Sequence, residues 1–325
     1  MVSHSTLSST ATIEGYFSSL SNWGRWGDDD RRGTLNLITP EVRRAAAATV
    51  RSGRAISLAR DLDPADPDPL HSGFATVHRK TDVREAEKAI GRRLRWDGFG
   101  DHIAIAPHGG NAHLDGLAHY SWDDKYYNDF PASATTEDGG AVDLSMRDAE
   151  DGIVTRGVLL DVAAALGVDR IERGYAISVE DLEAAEKRQG VCVRAGDALL
   201  VHSGGAAEIL EHGPKYLKAD PGIIDQVQTG LDSSVLPWLR ERDISVMGAD
   251  GTHDVQPPQF EDLNFARPIH SVCLVAIGLW LMDNLNLTEL SRACEEAQQW
   301  EFLLTANPWR FVGSTSSPLN PVAVL

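Results

Sequence analysis

The run His108-Gly109-Gly110-Asn111-Ala112-His113-Leu114-Asp115-Gly116-Leu117-Ala118-His119 holds three histidines and an aspartate in twelve residues. Neutral imidazole and carboxylate are ordinary ligands of zinc, manganese or iron, so this composition suits a metal site. In an extended segment residues two apart share a face, which lets His113 and Asp115 reach one ion. His119 lies further along, and an unperturbed imidazole pKa of about 6.5 lets it take or give a proton at neutral pH. The glycines permit close backbone approach and dihedrals that a side chain blocks. The alternative is a set of surface or core histidines in a glycine-containing loop. That alternative suits one histidine better than it suits so many potential ligands in so short a run.

Other residues qualify more weakly. Trp26, Tyr120, Trp122 and Tyr126 can form an aromatic wall that selects a flat or apolar substrate, or can simply be core and interface aromatics. His202, Asp250 and His253 sit at the ends of predicted strands where a pocket can open, and a structural role fits each better than a catalytic one.

The elements that must position these groups are legible in outline. Thr39-Pro40-Glu41 reads as a cap, a proline at the first helical position and an acidic first turn, opening an alanine-rich helix to Val50 that Gly53 ends. Ala55 to Ala59 alternates like a strand, and a helix is predicted from Val83 to Arg93. Ile103 to Ala106 is a short strand that delivers the chain to His108. Ile153 to Leu160 is β-rich, and Val162 to Leu166 is helical. Ser178 to Asp181 is a capping box with Asp in place of the usual Glu, opening a helix to Arg188. Ala198 to His202 suits a buried strand. A helix over Asp232 to Arg242 precedes a strand from Ile244 to Gly248. From His270 a short helix breaks at Gly278, a strand runs to Asp283, and a helix resumes at Thr288. Strands outnumber any regular βαβ alternation, which predicts a mixed α/β fold with an antiparallel component.

The chain has 325 residues, 42% of them apolar and 7% aromatic, and no linker divides it. One domain over 1–325 is expected, with 1–12 as a flexible N-terminal segment and Asp61 to Asp68 as a surface loop. A formal charge of -18 and the lack of a basic stripe argue against a nucleic-acid partner. No window of about 18 apolar residues occurs, and no signal-like leader precedes the domain, so no membrane partner is expected. Cys192, Cys273 and Cys294 form no spaced motif, which fits a reducing, cytoplasmic setting. No GxGxxG, GxxxxGK or GxSxG supports dinucleotide, P-loop or serine-elbow chemistry.

The His108 to His119 segment resembles the metal-binding signature of the cyclase superfamily, which includes bacterial arylformamidases and isatin hydrolase and is typified by His-x-Gly-Thr-His-x-Asp-x-x-x-His. His113, Asp115 and His119 fall on its last three marked positions. Further landmarks match the longer branch in order: Trp26-Gly27-Asp28-Asp29, Gly33-Thr34-Leu35-Asn36, Tyr126-Tyr127-Asn128, Arg156 to Asp161, Gly196 to Leu200, Gly248-Ala249-Asp250 and Ser317 to Pro321.

The resemblance implies a swivelling β/β/α core, a dimer or tetramer, and a divalent zinc or manganese ion. It implies hydrolysis of an amide, lactam or ester bond in a small aromatic or cyclic substrate. It places the later ligands at His270 and at Asp283, where the family has glutamate, and gives His119 the proton-transfer role. Two departures stand out. Gly109 replaces the first signature histidine, with His108 one position early. Asp283 lacks one methylene and reaches about 1.5 Å less far than glutamate. One ion held by His113, Asp115, His270 and Asp283 is the expectation, with His119 and His108 as catalytic candidates. The competing readings are a metal-dependent dehydratase, cyclase or isomerase, and a non-catalytic binding protein with a degenerate site.

Overall fold

The computed structural model describes residues 9–62, 74–108, 111–205 and 228–325. Over these residues the helices are α1 (Thr10–Ser19), α2 (Pro40–Ala47), α3 (Arg84–Ile90), α4 (Val162–Ala165), α5 (Val179–Gln189), α6 (Leu236–Glu241), α7 (Pro268–Ser271) and α8 (Thr288–Ala297). The first strands are β1 (Ala55–Ser57), β2 (Phe74–Lys80), β3 (Phe99–Ile105) and β4 (His113–Asp115). The short β5 (Thr135–Thr136) and β6 (Gly140–Ala141) precede the long β7 (Ile153–Asp161), followed by β8 (Ala176–Ile177) and β9 (Ala198–His202). The remainder are β10 (Gly230–Leu231), β11 (Val246–Ala249), β12 (Trp280–Asp283), β13 (Glu301–Ala306), β14 (Ser316–Pro318) and β15 (Val322–Val324).

One sheet takes nine of these strands in the order β1-β15-β13-β7-β9-β11-β12-β4-β14. Its centre, β7-β9-β11-β12, is parallel, and both flanks are antiparallel. This is the mixed α/β fold that the strand count predicts. Parallel neighbours need crossovers, which α4 with α5, α6, and α7 supply in turn. The central strands are buried along nearly their whole length; β9, β11 and β12 read as apolar runs up to their last residue, while β7 interrupts its run with Thr155 and Arg156. The outlying β13 alternates buried and half-buried residues, as a strand with one solvated face does.

Local signals explain the element ends. Thr39 accepts the Val42 amide at the start of α2. Ser178 and Asp181 form a reciprocal capping box on α5, so the shorter aspartate serves there. Beyond α7 the chain makes a π-helical turn, Val272–Ile277, ended by Gly278 at φ 69°. The Gly278 carbonyl accepts the Thr34 amide at 2.9 Å. A Cβ on Gly33 would stand 2.2 Å from that carbonyl oxygen, so only glycine fits there. The Gly33-Thr34 landmark thereby locks the segment joining the helix that carries His270 to the strand that carries Asp283.

Of the segment expected to be flexible over 1–12, residues 1–8 lie outside the described residues, Ser9 caps α1 and Thr10 begins that helix, of which Ile13 is buried. Other elements differ from expectation. The helix expected over Asp232 to Arg242 is a 3-10 turn, Ser233–Val235, followed by α6, because Pro237 sits inside it and Asp232 caps the turn. The loop expected over Asp61 to Asp68 lies largely outside the described residues. The three cysteines are free. Among the described residues no helix is long and apolar enough to cross a membrane.

Candidate metal centre

Strand β4 lies between β12 and β14, with His113 opposite Asp283 and Pro318, and Asp115 opposite Leu281 and Ser316. The two-residue period turns His113 and Asp115 to one face, and antiparallel pairing brings Asp283 alongside. His270 enters from α7. Two groups of donor atoms, each within 4.8 Å of one another, result among the described residues: His108, His113 and Asp115, and Asp115, His270 and Asp283. Asp115 belongs to both. The four ligands expected on one ion therefore divide about a shared carboxylate, because His113 and His270 approach Asp115 from its two oxygens.

The spacings are those of ligands rather than of hydrogen bonds. His113 Nε2 is 3.5 Å from Asp115 Oδ1, His270 Nε2 is 3.7 Å from Asp115 Oδ2, and His270 Nε2 is 3.4 Å from Asp283 Oδ2. Donors about 2.1 Å from a tetrahedral ion stand roughly 3.4 Å apart. The shorter reach of Asp283 is thus compensated by its register opposite His113. His108, despite its early position, brings Nε2 to 3.0 Å from Asp115 Oδ1. Gly109 and Gly110 lie outside the described residues.

The ring nitrogens turned away from the centre are fixed. His113 Nδ1 donates to the Asn111 carbonyl at 2.7 Å, and His270 Nδ1 donates to Asp254 Oδ2 at 2.5 Å. Each imidazole then presents Nε2 inward, the arrangement by which outer groups set a metal-binding tautomer. Asp254 and Ser316 were not anticipated as site residues. The adjacent His253-Asp254 pair was the available signal for the first; nothing in the sequence marks Ser316, whose hydroxyl stands 3.5 Å from His108 Nδ1.

Charge and burial oppose one another throughout. Burial pushes the Asp115 carboxyl up, but the surrounding histidines outweigh it and hold it well below the usual range. Burial likewise raises Asp283, and His270 with His253 bring it down. Burial lowers His270, yet Asp283, Asp115 and Asp254 reverse this and leave it well above an ordinary histidine. His119 goes the other way. Burial and the neighbouring imidazoles bring it to about 4 against the pull of Asp115, so its ring is neutral at pH 7. It stacks on His108 with ring centres 4.2 Å apart, and its side chain stays 23% exposed.

The expected aromatics separate. Tyr120 lies 4.9 Å from the His119 ring and 5.3 Å from that of His270. Trp122 stacks on Phe17 and meets Phe265, Trp26 lies under Arg25, and Tyr126 is part of the core. His253 is buried behind Asp283, 3.1 Å from Oδ1. His202 and Asp250 form a separate network: His202 Nδ1 meets Asp161 at 3.0 Å, and Asp250 accepts the Ser203 and Gly204 amides.

The family model described as "Putative cyclase" matches residues 56–254. The chain belongs to the cyclase family. The matched stretch includes β4 and all of the His108 to His119 run, while His270 and Asp283 follow it. Among solved structures, a crystal structure of a novel cyclase is similar at 28% identity and TM-score 0.81, covering 95% of this chain and 99% of that one. Isatin hydrolase A from Ralstonia solanacearum, at 19% identity and TM-score 0.57, covers 88% and 97%. Isatin hydrolase A from Labrenzia aggregata bound to benzyl benzoate, at 20% identity and TM-score 0.51, covers 86% and 94%. These two share the cyclase fold. No curated protein matches this chain.

Proposed function

We propose that this cyclase-family chain is a metal-dependent hydrolase that opens an amide, lactam or ester bond in a small, flat substrate. The observation that carries the metal reading is a buried carboxylate oxygen, Asp115 Oδ2, that accepts no hydrogen bond and has its nearest ring nitrogens, those of His119 and His270, at 3.7 Å. A buried anionic oxygen without a donor is costly, and a cation removes that cost. One divalent ion, zinc or manganese, held by Asp115, His270 and Asp283 and backed by His113 fits the donor chemistry, since two carboxylates balance its charge.

Such an ion supplies Lewis acidity to a carbonyl and makes water acidic near neutral pH. The chain's own groups do the rest. His113 and His270 are held by Asn111 and Asp254 so that their Nε2 atoms stay available. His119, neutral and part-exposed, is placed to take a proton from water and return it to the leaving group, with His108 stacked on it as the alternative carrier. The Tyr120 ring forms a wall against which a planar substrate lies. A benzyl ester bound to one isatin hydrolase, and isatin itself in the names of others, supports an aryl amide, lactam or ester as the class to try. A cytoplasmic setting fits the free thiols.

The test is elemental analysis of unstripped protein followed by turnover of an aryl amide, lactam and ester panel in oxygen-18 water. About one ion per chain and solvent oxygen in the product are expected. Product without solvent oxygen would replace hydrolysis by elimination or isomerisation. Protein that holds no ion and cannot be reconstituted would leave a binding protein.

A further inference from the structure

Between β11 and α7 the chain passes behind the metal centre with the adjacent pair His253-Asp254, and each member meets a different candidate ligand. Asp254 accepts from His270 Nδ1, while His253 Nε2 stands 3.1 Å from Asp283 Oδ1. The pair is clamped from its far side. The Leu231 amide in β10 donates to the His253 carbonyl at 2.7 Å. A Cβ on Gly230 would stand 2.3 Å from the Val255 nitrogen and 2.4 Å from the Asp254 carbonyl carbon, so only glycine lets β10 come that close. The contact between His253 and Asp283 is also shut off from water, their side chains being 0% and 4% exposed.

His253 is placed to act on Asp283 rather than on an ion, since it stands in neither group of donor atoms. The two oxygens of Asp283 face different neighbours. Oδ2 is 3.4 Å from His270 Nε2, inside the donor group, and Oδ1 faces His253. No hydrogen bond from another described group reaches Oδ1. The His253 contact has the length of a hydrogen bond but not its direction, and a small turn of the imidazole aligns it. A carboxylate oxygen only accepts, so Nε2 is the nitrogen that carries the hydrogen in such a bond. Asp283 then has one oxygen left for an ion.

That number bears on the choice of ion. Single donors from Asp115, His270 and Asp283 leave a fourth place for water, the pattern of a catalytic zinc site. Manganese favours six donors, mostly oxygen, and is better served by a carboxylate free to turn both oxygens inward. We propose that His253 is a positioning residue that holds Asp283 to one donor oxygen and so adapts the centre to a four-coordinate ion, zinc rather than manganese. The proposal deepens the metal reading and rests on it.

Zinc and manganese affinities of the full chain, from chelator competition, test the proposal together with the visible spectrum of the cobalt-loaded protein. Cobalt in the parent is expected to show the intense bands of a tetrahedral ion. His253→Ala releases Asp283 Oδ1. Zinc affinity should fall about 10- to 100-fold, the usual effect of losing a partner that orients a ligand, while manganese affinity holds or rises. The preference for zinc should thus shrink about 10-fold or more, and the cobalt bands should weaken as the ion gains donors. His253→Gln carries an amide donor in place of Nε2 and should restore the parental preference. On an Asp283→Asn background, where the side chain has one oxygen, adding His253→Ala should leave the preference as it was.

A merely structural histidine gives a different pattern. His253→Ala would then lower the melting temperature and both affinities together, with the zinc-to-manganese ratio and the cobalt spectrum unchanged, and that result overturns the proposal. So does a His253→Gln protein whose preference is as weak as that of His253→Ala. A six-coordinate cobalt spectrum in the parent overturns it without any variant having to fold. Parent protein that takes up none of zinc, cobalt and manganese counts against the metal reading instead.

Discussion

Asp254 accepts a 2.5 Å hydrogen bond from His270 Nδ1, and the same carboxylate accepts the Ile269 amide at 2.7 Å and the His270 amide at 3.3 Å. One buried side chain thus satisfies the start of α7 and orients the imidazole that α7 carries. Asp254→Asn keeps the size of the side chain but weakens the hold on Nδ1. Metal affinity should fall about 10- to 100-fold, as for other partners that orient a ligand. Zinc competition with a chelator measures this, and parental affinity in the variant would remove Asp254 from the site.

Asp115 is the residue shared by both donor groups, so its charge should matter most. Asp115→Asn preserves shape while replacing an anionic donor by a weaker neutral oxygen. The expected result is loss of bound metal and of turnover with little change in circular dichroism. Equal metal content in variant and parent, by elemental analysis, would rule Asp115 out as an important ligand.

How much of this was legible depends on where each signal resides. The parallel strands β9, β11 and β12 announce themselves as apolar runs, because burial on both faces favours apolar residues along all but their last position, where His202 and Asp283 stand. The flanking β13 and β15 are half-solvated, and β15 has only three residues, so neither stands out as an apolar run. Asp254 escaped notice because a carboxylate in a loop has no period. His108 looked out of frame because spacing along a chain says nothing of where a side chain reaches. The Arg156 and Asp197 landmarks had no stated role until the pairing of β7 with β9 brought them together.

That pair yields a stability prediction. Arg156 meets Asp197 through Nε at 2.8 Å and a terminal nitrogen at 2.5 Å, and both side chains are buried. Arg156→Met leaves the carboxylate buried without its cation. Unfolding in urea should show a loss of about 3 to 5 kcal/mol, the usual cost of breaking such a pair. A loss below about 1 kcal/mol would mean that water reaches Asp197.

The His202–Asp161 pair gives stability a pH dependence. Burial raises the Asp161 carboxyl, but His202 outweighs it and brings it to about 2, so its contribution is present above the ordinary 3.8 and is lost as pH falls through about 2. Burial lowers His202, but Asp161 and Asp250 raise it above the ordinary 6.5; its contribution is complete below 6.5 and is lost as pH rises through the raised value. His202→Asn keeps a donor near Asp161 and removes the charge. The deficit of the variant should be about 1 to 2 kcal/mol between pH 3.8 and 6.5 and should shrink above that window. A deficit constant from pH 5 to 9 would show that the charge on His202 contributes nothing.

His119 separates proton transfer from ligation. Its Nε2 is 3.7 Å from Asp115 Oδ2, and it stands in neither donor group. Its side chain is 23% exposed and its ring stacks on His108, whereas His113 and His270 are buried. A proton carrier in that position should be dispensable for the metal and indispensable for the chemistry. His119→Ala is therefore expected to keep its metal and to lose about 10²- to 10⁴-fold in turnover, the range for a positioned acid or base. A ligand would behave otherwise: occupancy would drop, and added metal would restore much of the rate. A purely structural histidine would lower the melting temperature without a selective effect on turnover. The deciding measurement is turnover at verified full occupancy on the best substrate of the panel. A rate within about threefold of the parent, far below the range for a lost acid or base, would end the proton-transfer assignment and pass that role to His108.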